Sequence, residues 1–159
     1  MLKIGSSMDI HPLVKGRKLI LGGIIIESEY GCYAHSDGDV LLHSITEAII
    51  GALGKGDLGE HFPDSDNKYK DIDSSVLLNN ILGIMQKEKY VINNLDCSII
   101  LEKPKLGTNK GKIRKNIAKL LSINESNVNI KAGTMEEIGE IGKNKAVMAF
   151  CSILLESED

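Results

Sequence analysis

The 159-residue sequence predicts an α+β fold, with a mostly four-stranded sheet, helices packed on one face, and a β-hairpin. Three observations predict it. Several segments show apolar residues at alternate positions, and three others show them at helical spacing. The two kinds follow one another without a steady βαβα rhythm. No internal repeat, low-complexity run or linker-like stretch interrupts the chain, so residues 1–159 read as one domain, long enough to bury a core.

The elements follow in order. "LKIGSSMDI" carries Leu2, Ile4 and Met8 at alternate positions, the pattern of a strand. "KLILGGIIIES" is two short apolar runs around Gly22 and Gly23, a hairpin signal. From Asp39 to Leu53, Leu42, Ile45, Ile49 and Leu53 recur at helical spacing, with Asp37 as the expected N-cap. Residues 54–73 are rich in Gly, Asp and Pro and predict a long exposed loop. "DSSVLLNNILGIMQKEKY" reads as a helix capped near Asp73 or Ser74, with Leu77, Leu78, Ile81, Leu82 and Met85 inward. "LDCSIIL" predicts a strand burying Leu95, Cys97, Ile99 and Leu101, followed by the loop "EKPKLGTNK" and a helix through Ile113, Ile117, Leu120 and Leu121. "VNIKAGT" and "AVMAFCSILL" are two more strands, separated by the polar "MEEIGEIGKNK". Apolar residues on several strands leave the second sheet face in need of cover, which oligomerisation supplies.

Charge and composition exclude some partners. A net charge of −3 gives no basic surface for nucleic acid or an acidic membrane. No apolar run approaches the ~20 residues of a membrane span, and "MLKIGSSMDIH" holds no signal-peptide core. Cys32, Cys97 and Cys151 are odd in number and widely spaced, which argues against a disulfide framework and for a reducing compartment. A bacterial cytoplasm fits, as does a plastid-type organelle after removal of a transit peptide.

The residues suited to chemistry are concentrated early. All four histidines lie between residues 11 and 61. In an extended strand, Asp9 and His11 point to the same face and set a carboxylate beside an imidazole. Alone, that pair is also what a strand-end Asp and a surface His look like. His43, one turn after Asp39 on the expected helix, would by itself be an ordinary core histidine. Joined to Asp9 and His11 it completes a His₂Asp set, which zinc accepts with a fourth position open. His35 differs. It precedes the helix beside Ser36 and Gly38, where free N–H groups favour an anion, so phosphate contact is its expected work.

Asp57, Asp64 and Asp66 lie in the Gly-rich loop without EF-hand spacing. They are either a solvated acidic loop or acceptors for sugar hydroxyls. At the end of the "VNIKAGT" strand, Gly133 admits a close backbone approach, Thr134 offers a hydroxyl, and Glu136 suits a hard cation such as Mg²⁺.

Taken together, "DIH", "LGG", "AHSDGDVLLH", "GALGKGDLGEHFPDSD", "DSSVLL", "PK" at 104–105 and "KAGTMEEIG" occur in an order that closely resembles the 2-C-methyl-D-erythritol 2,4-cyclodiphosphate synthase family, over essentially the whole chain. The resemblance implies a homotrimer with active sites between subunits and an apolar cavity on the three-fold axis. It implies conversion of 4-diphosphocytidyl-2-C-methyl-D-erythritol 2-phosphate to the 2,4-cyclodiphosphate with release of CMP, in non-mevalonate isoprenoid synthesis. It assigns one zinc per subunit to Asp9, His11 and His43, and magnesium or manganese, bound with substrate, to Glu136. It assigns phosphate contact and transition-state stabilisation to His35 and Thr134. Substrate contacts are implied for Asp9, His11, Ser36, Asp57, Leu58, Gly59, Phe62, Pro63, Asp64, Ser65 and Asp66. The cytidine pocket is implied at Leu101, Glu102, Lys103, Pro104, Lys105, Leu106 and Gly107, with further contacts from Gly133, Met135 and Glu136.

Glu140 and Lys143 stand where the family commonly carries an aromatic and an arginine lining the axial cavity. Lys143 keeps the charge without the bidentate fork. Gly133 replaces a frequent hydroxyl residue. On the residues alone, two other readings remain. One is a zinc-dependent phosphodiesterase or hydrolase using water as nucleophile; the other is a metal-stabilised trimeric binding module.

Overall fold

The computed structural model describes residues 1–158. Its main sheet has five strands in the order β4-β1-β7-β5-β6, and a separate two-stranded sheet pairs β2 with β3. These strands are β1 (Leu2–Lys15), β2 (Leu19–Leu21), β3 (Ile24–Ile26), β4 (Tyr30–Cys32), β5 (Tyr90–Ile100), β6 (Val128–Gly133) and β7 (Ala146–Ser157). Only β5 and β6 run parallel; the other pairs are antiparallel. The expected four-stranded sheet is thus corrected to five. Tyr30–Cys32 pairs with Leu13–Lys15, and three residues are too few for alternation to announce a strand.

The helices are α1 (Val40–Leu53), α2 (Leu58–His61), α3 (Ser74–Lys87), α4 (Asn109–Leu121) and α5 (Gly139–Gly142). α1 lies across β1 and β7, α3 packs on α1 and β5, and α4 packs on β6 and β3. Their apolar residues, with those of the inner sheet face, make one core through Leu42, Ile45, Ile49, Leu78, Ile81, Ile99, Ile113 and Val147. The apolar stripe of α1 exists because its spacing matches 3.6 residues per turn. Gly5 lets that helix settle onto β1: a Cβ there would stand 1.9 Å from the Ala48 carbonyl oxygen.

Three local readings change. The N-cap of α1 is Asp39, whose side chain accepts the Leu42 N–H at 3.0 Å, and not Asp37. The loop over 54–73 contains α2 and a 3₁₀ turn at Asn67–Tyr69, and the polar stretch before β7 contains α5. Asp73 does cap α3, through the Ser75 N–H.

The Asp39 carboxylate also ties the hairpin to the helix. Gly22 and Gly23 turn with positive φ, and their N–H groups donate to its two oxygens at 2.9 and 2.7 Å. Burial pushes this carboxyl up to about 6 against those hydrogen bonds.

The outer sheet face is different. Leu2, Ile4, Met8, Ile10 and Phe150 are exposed on the side away from the helices, with Met8 opposite Phe150 across the β1–β7 ladder. The alternation of β1 was legible, but its large apolar residues look outward; Gly5, on the other side, faces α1. All three cysteines are buried and free, and burial pushes the Cys32 thiol up to about 12, which leaves it inert. Among the described residues no helix is long and apolar enough to cross a membrane.

Candidate active site and metal centre

The β1 strand sets Asp9 and His11 on one face, two residues apart, and the first turn of α1 brings His43 onto them. His11 Nε2 is 2.9 Å and His43 Nδ1 is 3.1 Å from Asp9 Oδ2, and the two ring nitrogens are 3.3 Å apart. These three atoms belong to the group Asp9, His11 and His43 that can hold a metal ion. A tetrahedral ion with bonds of ~2.0–2.1 Å separates its ligand atoms by about 3.3 Å. The donor set therefore fits a divalent metal in size as well as chemistry.

The local charges agree. Burial works against ionising Asp9, but hydrogen bonds from His11 and His43, and their charges, hold its carboxyl well below the usual carboxylate range. Burial also favours neutral His43, yet the Asp9 hydrogen bond and charge raise its pKa above the ordinary value. The fourth histidine, His61, meets the Lys55 carbonyl at 2.9 Å and stands apart from the triad.

The triad opens into a cavity of about 450 Å³, which His35, Ser36, Leu58, Gly59, Phe62, Pro63 and Asp64 also line. His35 Nε2 is buried and has no hydrogen-bond partner among the described residues. Its backbone carbonyl accepts the Asp71 N–H at 2.7 Å, which fixes the residue at the cavity wall. Tyr69, Ile72 and Leu77 complete part of the lining; helical spacing marked Leu77 only as an inward core residue, and nothing local singled out Tyr69 or Ile72. Asp57, Ser65 and Asp66 do not line it. Asp57 caps α2 through the Glu60 N–H, and Asp66 caps the 3₁₀ turn and pairs with Lys68 at 3.0 Å.

A second cavity, of about 240 Å³, lies between Leu101, Glu102, Pro104, Lys105, Leu106 and Gly107 on one side and Gly133 and Thr134 on the other. It shares no lining residue with the first. His35 and Thr134 therefore line different cavities. Glu136 sits at positive φ next to it, its N–H donating to Thr134 Oγ1 at 3.2 Å, and Met135 N–H meets Glu102 at 3.3 Å. Lys103, whose peptide to Pro104 is cis, and Glu136 are exposed and do not line this cavity. Glu140 lies between two cations, 3.1 Å from Lys145 and 3.6 Å from Lys143.

A model of the YgbB family matches residues 2–156. The chain belongs to the YgbB family. Among YgbB relatives, the 2-C-methyl-D-erythritol 2,4-cyclodiphosphate synthase of Fusobacterium nucleatum subsp. nucleatum is 52% identical over 158 residues, covering 99% of each chain. The solved CDP complex of Plasmodium falciparum IspF superposes with a TM-score of 0.87 at 35% identity, covering 99% of this chain and 97% of that one. The bifunctional IspDF of Campylobacter jejuni superposes with a TM-score of 0.95 at 37% identity; it is longer, and this chain spans 43% of it.

Proposed function

We propose that this YgbB chain is a phosphorus–oxygen lyase of non-mevalonate isoprenoid synthesis, a 2-C-methyl-D-erythritol 2,4-cyclodiphosphate synthase. It converts 4-diphosphocytidyl-2-C-methyl-D-erythritol 2-phosphate to the cyclic diphosphate and CMP. The observation that carries the reading is the Asp9–His11–His43 triad, spaced for a metal and opening on the same cavity as the Nε2 of His35, which has no partner among the described residues. The synthase names of full-length relatives and the CDP seen in the Plasmodium falciparum protein support it.

The attack is intramolecular: the 2-phosphate of the substrate displaces CMP from the β-phosphorus. Such a reaction needs alignment and charge neutralisation more than acid–base chemistry. Asp9, His11 and His43 would hold zinc, which when bound would supply Lewis-acid polarisation of a phosphoryl group. His35 and Thr134 contact phosphate and stabilise the transition state. Ser36, Leu58, Gly59 and the segment Phe62–Asp66 hold the methylerythritol part, and Asp57 supports it. The Leu101–Gly107 segment takes the cytidine, Gly133 and Met135 add substrate contacts, and Glu136 would hold magnesium or manganese bound with substrate.

The two cavities share no lining residue, which supports a homotrimer whose site combines the triad of one subunit with the cytidine pocket of the next. The exposed apolar face of β1 and β7 supports the same assembly. On this reading residues 1–159 are one catalytic domain, working in a bacterial cytoplasm without nucleic acid or membrane. Glu140 places a carboxylate 3.6 Å from Lys143 and argues against an isoprenoid diphosphate in the axial cavity.

The test is phosphorus NMR on purified protein with zinc, magnesium and the cytidyl substrate. Appearance of the cyclic diphosphate with stoichiometric CMP is the expected result. An open-chain product carrying solvent oxygen would mean a hydrolase instead.

A further inference from the structure

His43 has two ring nitrogens, and only one faces Asp9 and His11. The other, Nε2, points into buried polar surroundings, 2.8 Å from Ser74 Oγ and 3.2 Å from Ser36 Oγ. Ser74 is fully buried at the start of α3, 31 residues further along the chain. Its hydroxyl makes a short hydrogen bond to Asp37 Oδ1, and its backbone N–H donates to Asp37 Oδ2 at 3.0 Å. Asp37 is held in turn by the Asp39 N–H at 3.0 Å, and its own N–H donates to the Ile72 carbonyl at 3.1 Å.

Proton counting orders this chain. An ionised carboxylate only accepts, so the single Ser74 proton goes to Asp37. Ser74 Oγ is then left only as an acceptor toward His43, and the hydrogen between them belongs to Nε2. A neutral imidazole carrying its hydrogen on Nε2 presents the lone pair of Nδ1. Nδ1 is the atom that faces Asp9 and His11; in the metal-free imidazolium it donates to Asp9, and a metal ion displaces that hydrogen while the one on Nε2 stays with Ser74.

We propose that Asp37 and Ser74 are positioning residues for the metal centre: they fix the tautomer and ring orientation of His43 so that Nδ1 is offered to a metal ion. The device also joins two elements. The loop before α1 supplies Asp37, α3 supplies Ser74, and the metal-binding face depends on their docking. Outer partners of this kind typically change metal affinity 10–100-fold when removed. The inference rests on the reading of Asp9, His11 and His43 as a metal site.

The experiment titrates zinc against a chelating dye with the unsubstituted protein, Ser74→Ala and Ser74→Thr, and records the visible spectrum of each loaded with cobalt(II). Ser74→Ala is expected to bind zinc 10–100-fold more weakly and to alter the cobalt spectrum. Ser74→Thr, which keeps the hydroxyl, is expected to restore both. Equal zinc affinity and identical cobalt spectra in the unsubstituted protein and Ser74→Ala would overturn the relay alone. Failure of the unsubstituted protein to bind zinc would instead overturn the metal reading beneath it. Nitrogen-15 NMR of the unsubstituted, zinc-loaded protein decides the matter without any variant. Zinc on Nδ1 of His43, with the hydrogen on Nε2, is expected; zinc on Nε2 would refute the proposal.

Discussion

At the scale of single residues, the two histidines of "AHSDGDVLLH" have separate surroundings. His43 meets Asp9 and His11, while His35 leaves a buried Nε2 without a partner among the described residues at the cavity wall. His43→Ala is therefore expected to lose zinc and turnover together. His35→Ala should keep a full equivalent of zinc while turnover falls on the order of 10²–10³-fold, the usual cost of one transition-state donor. Metal analysis beside CMP release separates the two; equal zinc loss in both variants would end the division of labour.

The triad also predicts a pH signature. Asp9 is depressed below 3.8, so its contribution is present above that value and is lost as pH falls through the depressed one. His43 is raised above 6.5, so its contribution is complete below 6.5 and is lost as pH rises through the raised value. Both describe one contact, which stabilises the metal-free protein most between those limits. Metal binding instead needs neutral imidazole and displaces the proton. The gap in Tm between zinc-loaded and chelator-treated protein should widen from pH 6 to pH 8. A gap that stays constant would show that His43 is not the competing group.

At the scale of elements, the close seat of α1 on β1 rests on Gly5. A side chain there would meet backbone, the Ala48 carbonyl at 1.9 Å and the Ala52 nitrogen at 2.8 Å, so no rotamer change relieves it. Gly5→Val is expected to cost about 1–3 kcal/mol or more, read as a lower midpoint in urea at unchanged slope. An unchanged midpoint would mean that α1 can lift without loss. Asp39→Ala removes a helix cap and both anchors of the Gly22–Gly23 turn, and should lower the same midpoint. What was legible in the sequence follows the same division. The stripes of α1, α3 and α4, and the D-x-H pair on β1, are set by local periodicity and could be read directly. β4 exists only because Leu13–Lys15 lies beside it, and no three-residue pattern records that pairing. The docking of Ser74 onto His43 is likewise tertiary, since neither residue's neighbours in the chain mention the other. Asp37 looked like a helix cap because it precedes the helix, while the structure gives that task to Asp39 and turns Asp37 toward α3.

At the scale of the whole molecule, a single chain holds two separate cavities. The triad cavity contains His43 and His35; the other cavity contains Thr134 and the Leu101–Gly107 segment, with no lining residue in common. If one substrate spans both, they must come from different chains, and the apolar outer face of β1 and β7 offers the surface that brings chains together. The native mass should then be three times the 17.3 kDa of the chain. A mixing experiment tests the sharing directly. His43→Ala and Thr134→Ala trimers should each be nearly inactive alone, since every site lacks one half. Co-expressed in equal amounts, they assort into mixed trimers in which some sites take His43 from one subunit and Thr134 from its neighbour. Random assortment restores roughly a quarter of the sites, so CMP release should return to about that fraction of the unsubstituted rate. A site built within one chain gives no such return, because no single chain in the mixture carries both residues. Activity that stays at the level of the separate variants, in trimers shown by mass spectrometry to be mixed, would place His43 and Thr134 in different sites.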